Sequence, residues 1–271
     1  MIRFSVNDDR EKLFKLWNNV FEDSFEAISL FFDYHYKPEN TVVYDDNGYI
    51  AAMLYLLEGN FVISGKRYPS YYLYAAATDA AYRSRGIMGK MLDFAKETAL
   101  GRGMDFICLM PAEESLYGYY SRFGYKPVFS KKIVKIGLSN SGVETHSDDN
   151  LNLADIRNGF FYGYDYFEWN KNAVEYAIKQ NEFYGGSFMS GCNGYCLYTR
   201  NNGITTVKEL TLQIDELPFE NENCVLNLPV NYPVEAELCQ VLKNGMALPL
   251  NKNAESIINS VNNAYLGLTL D

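Results

Sequence analysis

Cysteine is scarce and odd in number, with five residues at positions 108, 192, 196, 224 and 239. An odd, scattered set does not make a disulfide framework, so reduced thiols are expected. Cys192-x-x-x-Cys196 has no further ligands at metal-site spacing and reads as core. Histidine is scarcer still: His35 and His146 are the two in the chain. Neither has partners spaced for a zinc site or a nucleophile–His–acid triad, so no metal and no His-based catalysis is expected. No stretch reaches the roughly 18 apolar residues of a membrane helix. The start, MIRFSVNDDREKLF, has no apolar segment behind a basic end, so a secretory signal is not expected and a cytoplasmic location is. Positive charge is also short, with 24 Lys and Arg against 34 Asp and Glu. That balance excludes an extended basic face for nucleic acid. It suits a cationic small molecule or peptide instead.

What the chain does have is apolar content: 48% of its 271 residues are hydrophobic, enough for a substantial core. IRFSV reads as a first strand, and Asp8 and Asp9 as caps of a helix through Leu13, Leu16, Trp17 and Val20. SFEAISLFFDYHY is a second helix. Two hairpins follow, one about DDNG and one in FVISGKRYPSYYLYAAAT, whose second arm ends near Thr78. GIMGKMLDFAKETALGRG is an amphipathic helix, DFICLMP a buried strand, EESLYGYYSRFGY a short helix, and PVFSKKIVKIGL a returning strand. The polar run at 139–150 reads as a linker, giving domains at 1–138 and 150–271. The second half opens with FFYGYDYFEWNKNAVEYAIKQ, read as helical. Two strands joined through NNG come next, and the last sixty or so residues have no clear order. The fold class is α/β with a mixed sheet, followed by a smaller α+β domain.

Against its acidic background the chain sets Arg83, Arg85 and Lys90 around Gly86 and Gly89 in YRSRGIMGK. A strand, a glycine turn and then a helix make an anion site. The first helical N–H groups lack internal partners, the helix dipole adds positive charge, and glycine lets an anion approach the backbone. Each charge-assisted hydrogen bond there contributes roughly 1.5–3 kcal/mol. A P-loop is excluded, because Ser84 stands where its first glycine belongs and Met91 where its hydroxyl belongs. A Rossmann fingerprint is excluded because Gly101 and Gly103 follow a helix.

The turn resembles the acetyl-CoA signature of the GNAT superfamily of N-acetyltransferases, Q/R-x-x-G-x-G/A. Arg83, Ser84, Arg85, Gly86, Ile87 and Met88 occupy it, with Met88 in place of the final small residue. A second landmark, Y-x-K/R-L/F-G-F/Y, is matched by Tyr120 to Tyr125. The bulky Met88 resembles the branch of the enhanced intracellular survival proteins, and residues beyond 150 resemble that branch's degenerate second GNAT-like domain, here without a cofactor turn. The resemblance implies that Ala76, Ala77, Thr78, Arg83, Ser84, Arg85, Gly86, Ile87, Met88, Gly89, Lys90 and Ser115 bind acetyl-CoA, and that Tyr120 is catalytic. Ser115 has a second reading, as a helix cap.

The chemistry implied is acetyl transfer to a primary amine of a small molecule or peptide. A lysine-like amine has a pKa of about 10.4, so losing its proton near pH 7 costs about 4 kcal/mol and calls for a base. Asp79, Glu113, Glu114 and Asp271 are the carboxylates beside the site segments, and the sequence does not choose among them. Backbone N–H groups near Ala77 and Thr78 are the expected oxyanion donors. Tyr120 is the expected donor to the departing thiolate, a transfer uphill by about 2 kcal/mol for a phenol near 10 and a thiol near 8.5. Tyr162 and Phe167 are candidates to line an acceptor pocket. The partners expected are acetyl-CoA and an amine, with self-association a further option. The alternatives are a non-catalytic acyl-CoA-binding sensor or partner-binding module, and an enzyme using a longer or aminoacyl donor.

Overall fold

The computed structural model describes residues 1–138, 152–191, 194–217, 219, 222–236 and 238–270. The linker expected at 139–150, His146, Cys192 and Asp271 lie outside the described residues. The first elements are β1 (Ile2–Phe4), α1 (Arg10–Phe21), α2 (Phe25–His35), β2 (Thr41–Asp46), β3 (Tyr49–Ile63) and β4 (Lys66–Thr78). Then come α3 (Ile87–Gly101), β5 (Phe106–Leu109), α4 (Glu114–Ser121), β6 (Lys126–Leu138), α5 (Leu153–Phe160), β7 (Tyr166–Trp169) and α6 (Lys171–Phe183). The last are β8 (Ser187–Gly191), β9 (Gly194–Asn201), β10 (Ile204–Leu210), β11 (Glu222–Leu228), β12 (Leu238–Pro249) and α7 (Lys252–Ile258). This is a mixed α/β architecture, and no described helix is long and apolar enough to cross a membrane.

The chain forms two compact units that interleave in sequence. One takes Met1–Asn60, Tyr68–Lys126 and Met246–Ser260; the other takes Phe61–Arg67, Pro127–Gly245 and Val261–Asp271. Met246–Ser260 belongs to the first because β12 pairs antiparallel with β5, from Met246↔Leu109 to Pro249↔Phe106. Within the first unit the strands run in the order β1, β2, β3, β4, β5, β12. Asn47-Gly48 and Ser64-Gly65 turn the two hairpins with positive φ at all four residues, the conformation that matches strand twist in a two-residue loop. Helix α3 buries Ile87, Met91, Leu92, Ala95 and Ala99 along one stripe. Helices α1 and α2 close over Tyr55 with Trp17 and Phe31, whose rings lie 4.7 Å apart.

Asp9 does not use its side chain as the expected cap of α1. It is buried, accepts from the Arg3 guanidinium at 2.6 Å and from Val6 N–H at 2.9 Å, and so ties β1 to the start of α1. An arginine within reach outcompetes the neutral amides of the helix as a partner for a buried carboxylate.

In the second unit β10 pairs parallel with β11 and antiparallel with β9; β11 pairs antiparallel with β6, and β9 with β8. The aromatic segment read as helical divides instead. Helix α5 ends at Phe160, Tyr166–Trp169 is the fully buried strand β7, and α6 starts after Asn170, whose side chain accepts from Ala173 N–H. Aromatic residues buried on both faces suit a strand, and the Asn170 cap sets the helix start. The core of this unit encloses a fully buried ion pair. Arg157 donates to Glu209 at 2.9 Å and to the Phe167 carbonyl at 2.8 Å. Tyr195 donates to Glu209 at 2.5 Å, and Leu268 N–H at 3.2 Å. A buried pair is tolerated only when its remaining lone pairs and protons find partners, and these bonds supply them. Gly267, at φ 67°, lets the backbone pass where any Cβ would overlap Glu209 and Arg157.

His35 closes α2 beneath aromatic rings, with Phe31 at 5.3 Å. Burial, with the charge of Lys37 adding, pulls its pKa down to about 4. The unfolded chain therefore takes a proton near pH 6.5 that the folded chain takes only near 4. The stability due to neutral, buried His35 is complete above about pH 6.5 and is lost as the pH falls toward 4, by about 3 kcal/mol in full. Urea denaturation of wild type and His35→Leu between pH 4 and 7 is expected to show this slope in wild type and a flatter one in the variant; parallel curves would exclude His35 as its source.

Candidate active site

Strand β4 sets the geometry of the candidate site. Its parallel register with β5 covers Ser70↔Phe106, Tyr71↔Ile107 and Tyr72↔Cys108, yet β4 runs on to Thr78 while β5 ends at Leu109. Ala75 lies in this overhang at φ 46°, a backbone state that costs alanine about 1–2 kcal/mol. Alanine carries no preference for that state, so nothing in YLYAAAT signals it. Ala76, Ala77 and Thr78 follow directly, with the Ala77 side chain buried. Their chain edge faces no β5 residue beyond Tyr72 in the register.

The next turn is braced in part by side chains that the sequence reading left unassigned, Tyr49, Tyr82 and Asp46. Asp79 accepts from Tyr49 hydroxyl at 2.6 Å and from Ala81 N–H at 2.8 Å. Those bonds, the tyrosine first, hold its carboxyl below the usual carboxylate range. A carboxylate so engaged is a poor general base. Tyr82 donates to Asp46 at 2.8 Å and stacks on Tyr49 at 5.7 Å. The Arg85 guanidinium lies 4.8 Å over the Tyr82 ring and donates to Ala81 carbonyl at 2.7 Å, while Arg83 donates to Thr78 carbonyl at 3.0 Å. Both arginines thus shape the turn with one N–H each and stay exposed, and each carries further donors.

Ser84 at φ 62° and Gly86 at φ 71° bend the chain into the first turn of α3. Gly86 is the N-cap, with no side-chain cap hydrogen bond. The early amides of α3 therefore have no capping partner, and a Cβ built at Gly86 meets nothing within 4 Å. This is an open, positively polarised helix end with exposed Arg83, Arg85 and Lys90 beside it. Ile87 points into the core and Met88 packs against it, so of the turn's residues these two offer backbone rather than side chain. Gly89 touches α4's C-terminal turn: its Cβ would lie 3.1 Å from the Phe123 ring. Here the absent side chain makes room for protein.

That contact brings α4 to the turn. Tyr120 joins the same apolar cluster as Ile87, Met91 and Leu109 and is 9% exposed. Its ring lies 5.3 Å from Tyr119 and 5.6 Å from Tyr125. Burial, and to a lesser extent Tyr119, pushes its pKa up to about 12. Among the described residues its hydroxyl has no hydrogen-bond partner, and it is not one of the sealed polar atoms, unlike the hydroxyl of Tyr125. The phenol is thus protonated, largely desolvated and open to a ligand. Ser115 stands at the exposed start of α4 and donates to Glu113 at 3.2 Å; the cap position there is Glu113, not Ser115. In the second unit Tyr162 is exposed, whereas Phe167 is sealed against Trp169. A pocket-lining role for Phe167 is excluded by that packing.

Residues 1–128 match the family model of an acetyltransferase (GNAT) domain. No curated protein matches the chain significantly. Among solved structures, a GCN5-related N-acetyltransferase from Kribbella flavida is similar at 15% identity and a TM-score of 0.69, over 94% of this chain and 73% of that one. Eis1 from Mycobacterium abscessus is similar at 14% identity and a TM-score of 0.68, over 93% of this chain and 74% of that one. A GCN5-related N-acetyltransferase from Anabaena variabilis is similar at 13% identity and a TM-score of 0.73, over 93% and 73%. At such identities the likeness concerns the fold.

The left-handed backbone at Gly86 gives a direct expectation. Gly86→Ala should lose about 1–2 kcal/mol of stability from strain alone, since space is open around it. Gly86→Asn should lose less, because asparagine tolerates that region. Chemical denaturation checks both, and equal losses would mean that backbone conformation is not what the position demands.

Proposed function

Because residues 1–128 match the family model of an acetyltransferase (GNAT) domain, we propose that the chain transfers an acetyl group from acetyl-CoA to a primary amine of a small molecule or peptide. The observation that carries this reading is the uncapped start of α3, open at Gly86 and flanked by arginines, packed through Gly89 and Phe123 against the helix that bears Tyr120. Ser84 to Gly89 would hold the pyrophosphate with backbone N–H groups, and Arg83, Arg85 and Lys90 would add charge. Ser115 would meet the cofactor at the start of α4. The overhanging edge of β4 at Ala76, Ala77 and Thr78 would hydrogen-bond the thioester arm and its developing oxyanion. A cytoplasmic location, with an acetyl-CoA supply and reduced thiols, belongs to the same proposal.

The Tyr120 phenol would stand at the departing sulfur. With its pKa near 12, full proton transfer to a thiolate near 8.5 is uphill by roughly 5 kcal/mol. Its work is therefore to donate a hydrogen bond to the sulfur as charge builds there, with the proton supplied in the end from solvent. The amine arrives protonated and must lose its proton. Asp79 is committed to Tyr49 and Ala81, so the first acceptor of that proton is a water or one of the other carboxylates near the site segments, Glu113 and Glu114.

Thiol release from acetyl-CoA over a broad amine panel tests the reading. Turnover is expected with at least one amine. Tight acetyl-CoA binding with no thiol release on any amine would favour a sensor and sink the enzymatic reading. Tyr120→Phe should lower kcat by about 10- to 100-fold and leave KM for acetyl-CoA nearly unchanged; an unchanged kcat removes Tyr120 from the chemistry. Arg85→Ala should weaken acetyl-CoA binding by about tenfold or more in calorimetry, and an unaltered Kd would detach that charge from the pyrophosphate.

A further inference from the structure

From Ala80 to Gly86 the chain lies at the surface: Tyr82 is half-buried and the other residues are exposed. The nearest buried residues in sequence are Ala77 before it and Ile87 after it. The segment also holds positive φ at Ser84 and Gly86. An exposed loop with such a backbone keeps one shape when contacts from elsewhere over-determine it.

Those contacts come from the tip of the β2–β3 hairpin. The tip is itself firm, because Asp45 accepts from Arg3 at 2.8 Å and from Gly48 N–H at 2.6 Å. From the tip, Asp46 and Tyr49 meet the turn in a reciprocal pattern. Tyr82 hydroxyl donates to Asp46 at 2.8 Å, and Tyr49 hydroxyl donates to Asp79 at 2.6 Å. The two phenol rings stack at 5.7 Å and 24°. The second oxygen of Asp46 accepts from the Asn47 side-chain amide at 3.1 Å, and that of Asp79 from Ala81 N–H at 2.8 Å. Both carboxylates are therefore spent on holding the turn. Asp79 N–H donates to Ala51 carbonyl on β3 at 2.9 Å. The Arg85 guanidinium lies 4.8 Å over the Tyr82 ring. Hairpin tip, phenol pair and guanidinium thus form one continuous chain of contacts.

We propose that this crossed clasp is a positioning device for the cofactor, with Tyr82 as its key positioning residue: by fixing the Tyr82 ring it presents Arg85 and the backbone from Ser84 to Gly89 in the shape that receives a pyrophosphate. The inference rests on the acetyl-CoA reading above. Exposed hydrogen bonds add little to global stability, because water replaces them when they break. Their effect falls on binding, since groups already held in place lose less freedom when a ligand engages them. Tyr82 and Asp46 need not touch the cofactor for this; they act through Arg85 and the turn.

Calorimetry of acetyl-CoA on the full chain, with thermal unfolding of each variant alongside, tests it. Tyr82→Leu should weaken binding by about tenfold. Tyr82→Phe, which keeps the ring beneath Arg85, should weaken it by about threefold, as should Asp46→Ala. Those two changes cut the same bond, so the double variant should lose no more than either alone. In an Arg85→Ala background Tyr82→Leu should cost less than about threefold, because the group it positions is gone. A part that only supported the fold would lower the melting temperature and would not distinguish Phe from Leu or depend on Arg85. The inference is overturned if Tyr82→Leu binds like wild type, or if its loss is as large without Arg85 as with it. Should Tyr82→Leu fail to fold, Tyr82→Phe decides by the same criteria. Wild type that binds no acetyl-CoA sinks the acetyl-CoA reading and this inference together, whereas wild-type binding with unaltered variants sinks this inference alone.

Discussion

The first unit is organised by a parallel strand pair that stops early. Once β4 has passed Tyr72, no β5 residue stands opposite it, and the backbone groups on that edge must be satisfied from elsewhere. Within a few residues the chain meets the same demand again at the start of α3, whose N-cap is a glycine without a side-chain acceptor. A strand edge and a helix end, both short of partners and consecutive in sequence, make one polar surface. The positive φ of Ala75 and the braces from Tyr49, Tyr82 and Asp46 hold that surface in shape. Strain of this kind persists where the surrounding bonds over-determine the backbone.

The cations of the turn and the acidity of the whole chain serve different ends. The chain's formal net charge is −10, and a net charge of that sign acts over long range. The local cluster of Arg83, Arg85 and Lys90 is exposed beside the start of α3, where distant carboxylates are screened from it. Arg85 also lies 4.8 Å over the Tyr82 ring, a contact that restrains its side chain. Tyr120 shows the opposite tuning. Its burial keeps the phenol protonated, which makes it a reliable donor and a reluctant acid.

The second unit uses its polar residues inward. Where the first unit leaves amides open at a helix end, the second encloses an Arg157–Glu209 pair with all its main partners in place. The matching is incomplete at Asn181, whose Oδ1 is a buried acceptor without a donor among the described residues.

Local patterns in the chain determined much of this. Apolar spacing marked α1, α2 and α3, and Asn-Gly and Ser-Gly turns between β-rich runs marked the hairpins, because side-chain period and turn chemistry are set by near neighbours. The glycine turn before α3 and the Tyr120 segment could be singled out as candidates for the same reason: each lies within one short stretch of fixed spacing. Tertiary structure alone decided the rest. The aromatic run before α6 became a buried strand because packing on both faces overrode its helical reading. Asp9 left its capping role for Arg3, six residues away, and Met246–Pro249 pair with β5 across more than a hundred residues of chain. The left-handed state at Ala75 and the crossed bonds of Tyr49 with Asp79 and Tyr82 with Asp46 carry no local signal, since each depends on groups that meet only when distant segments pack.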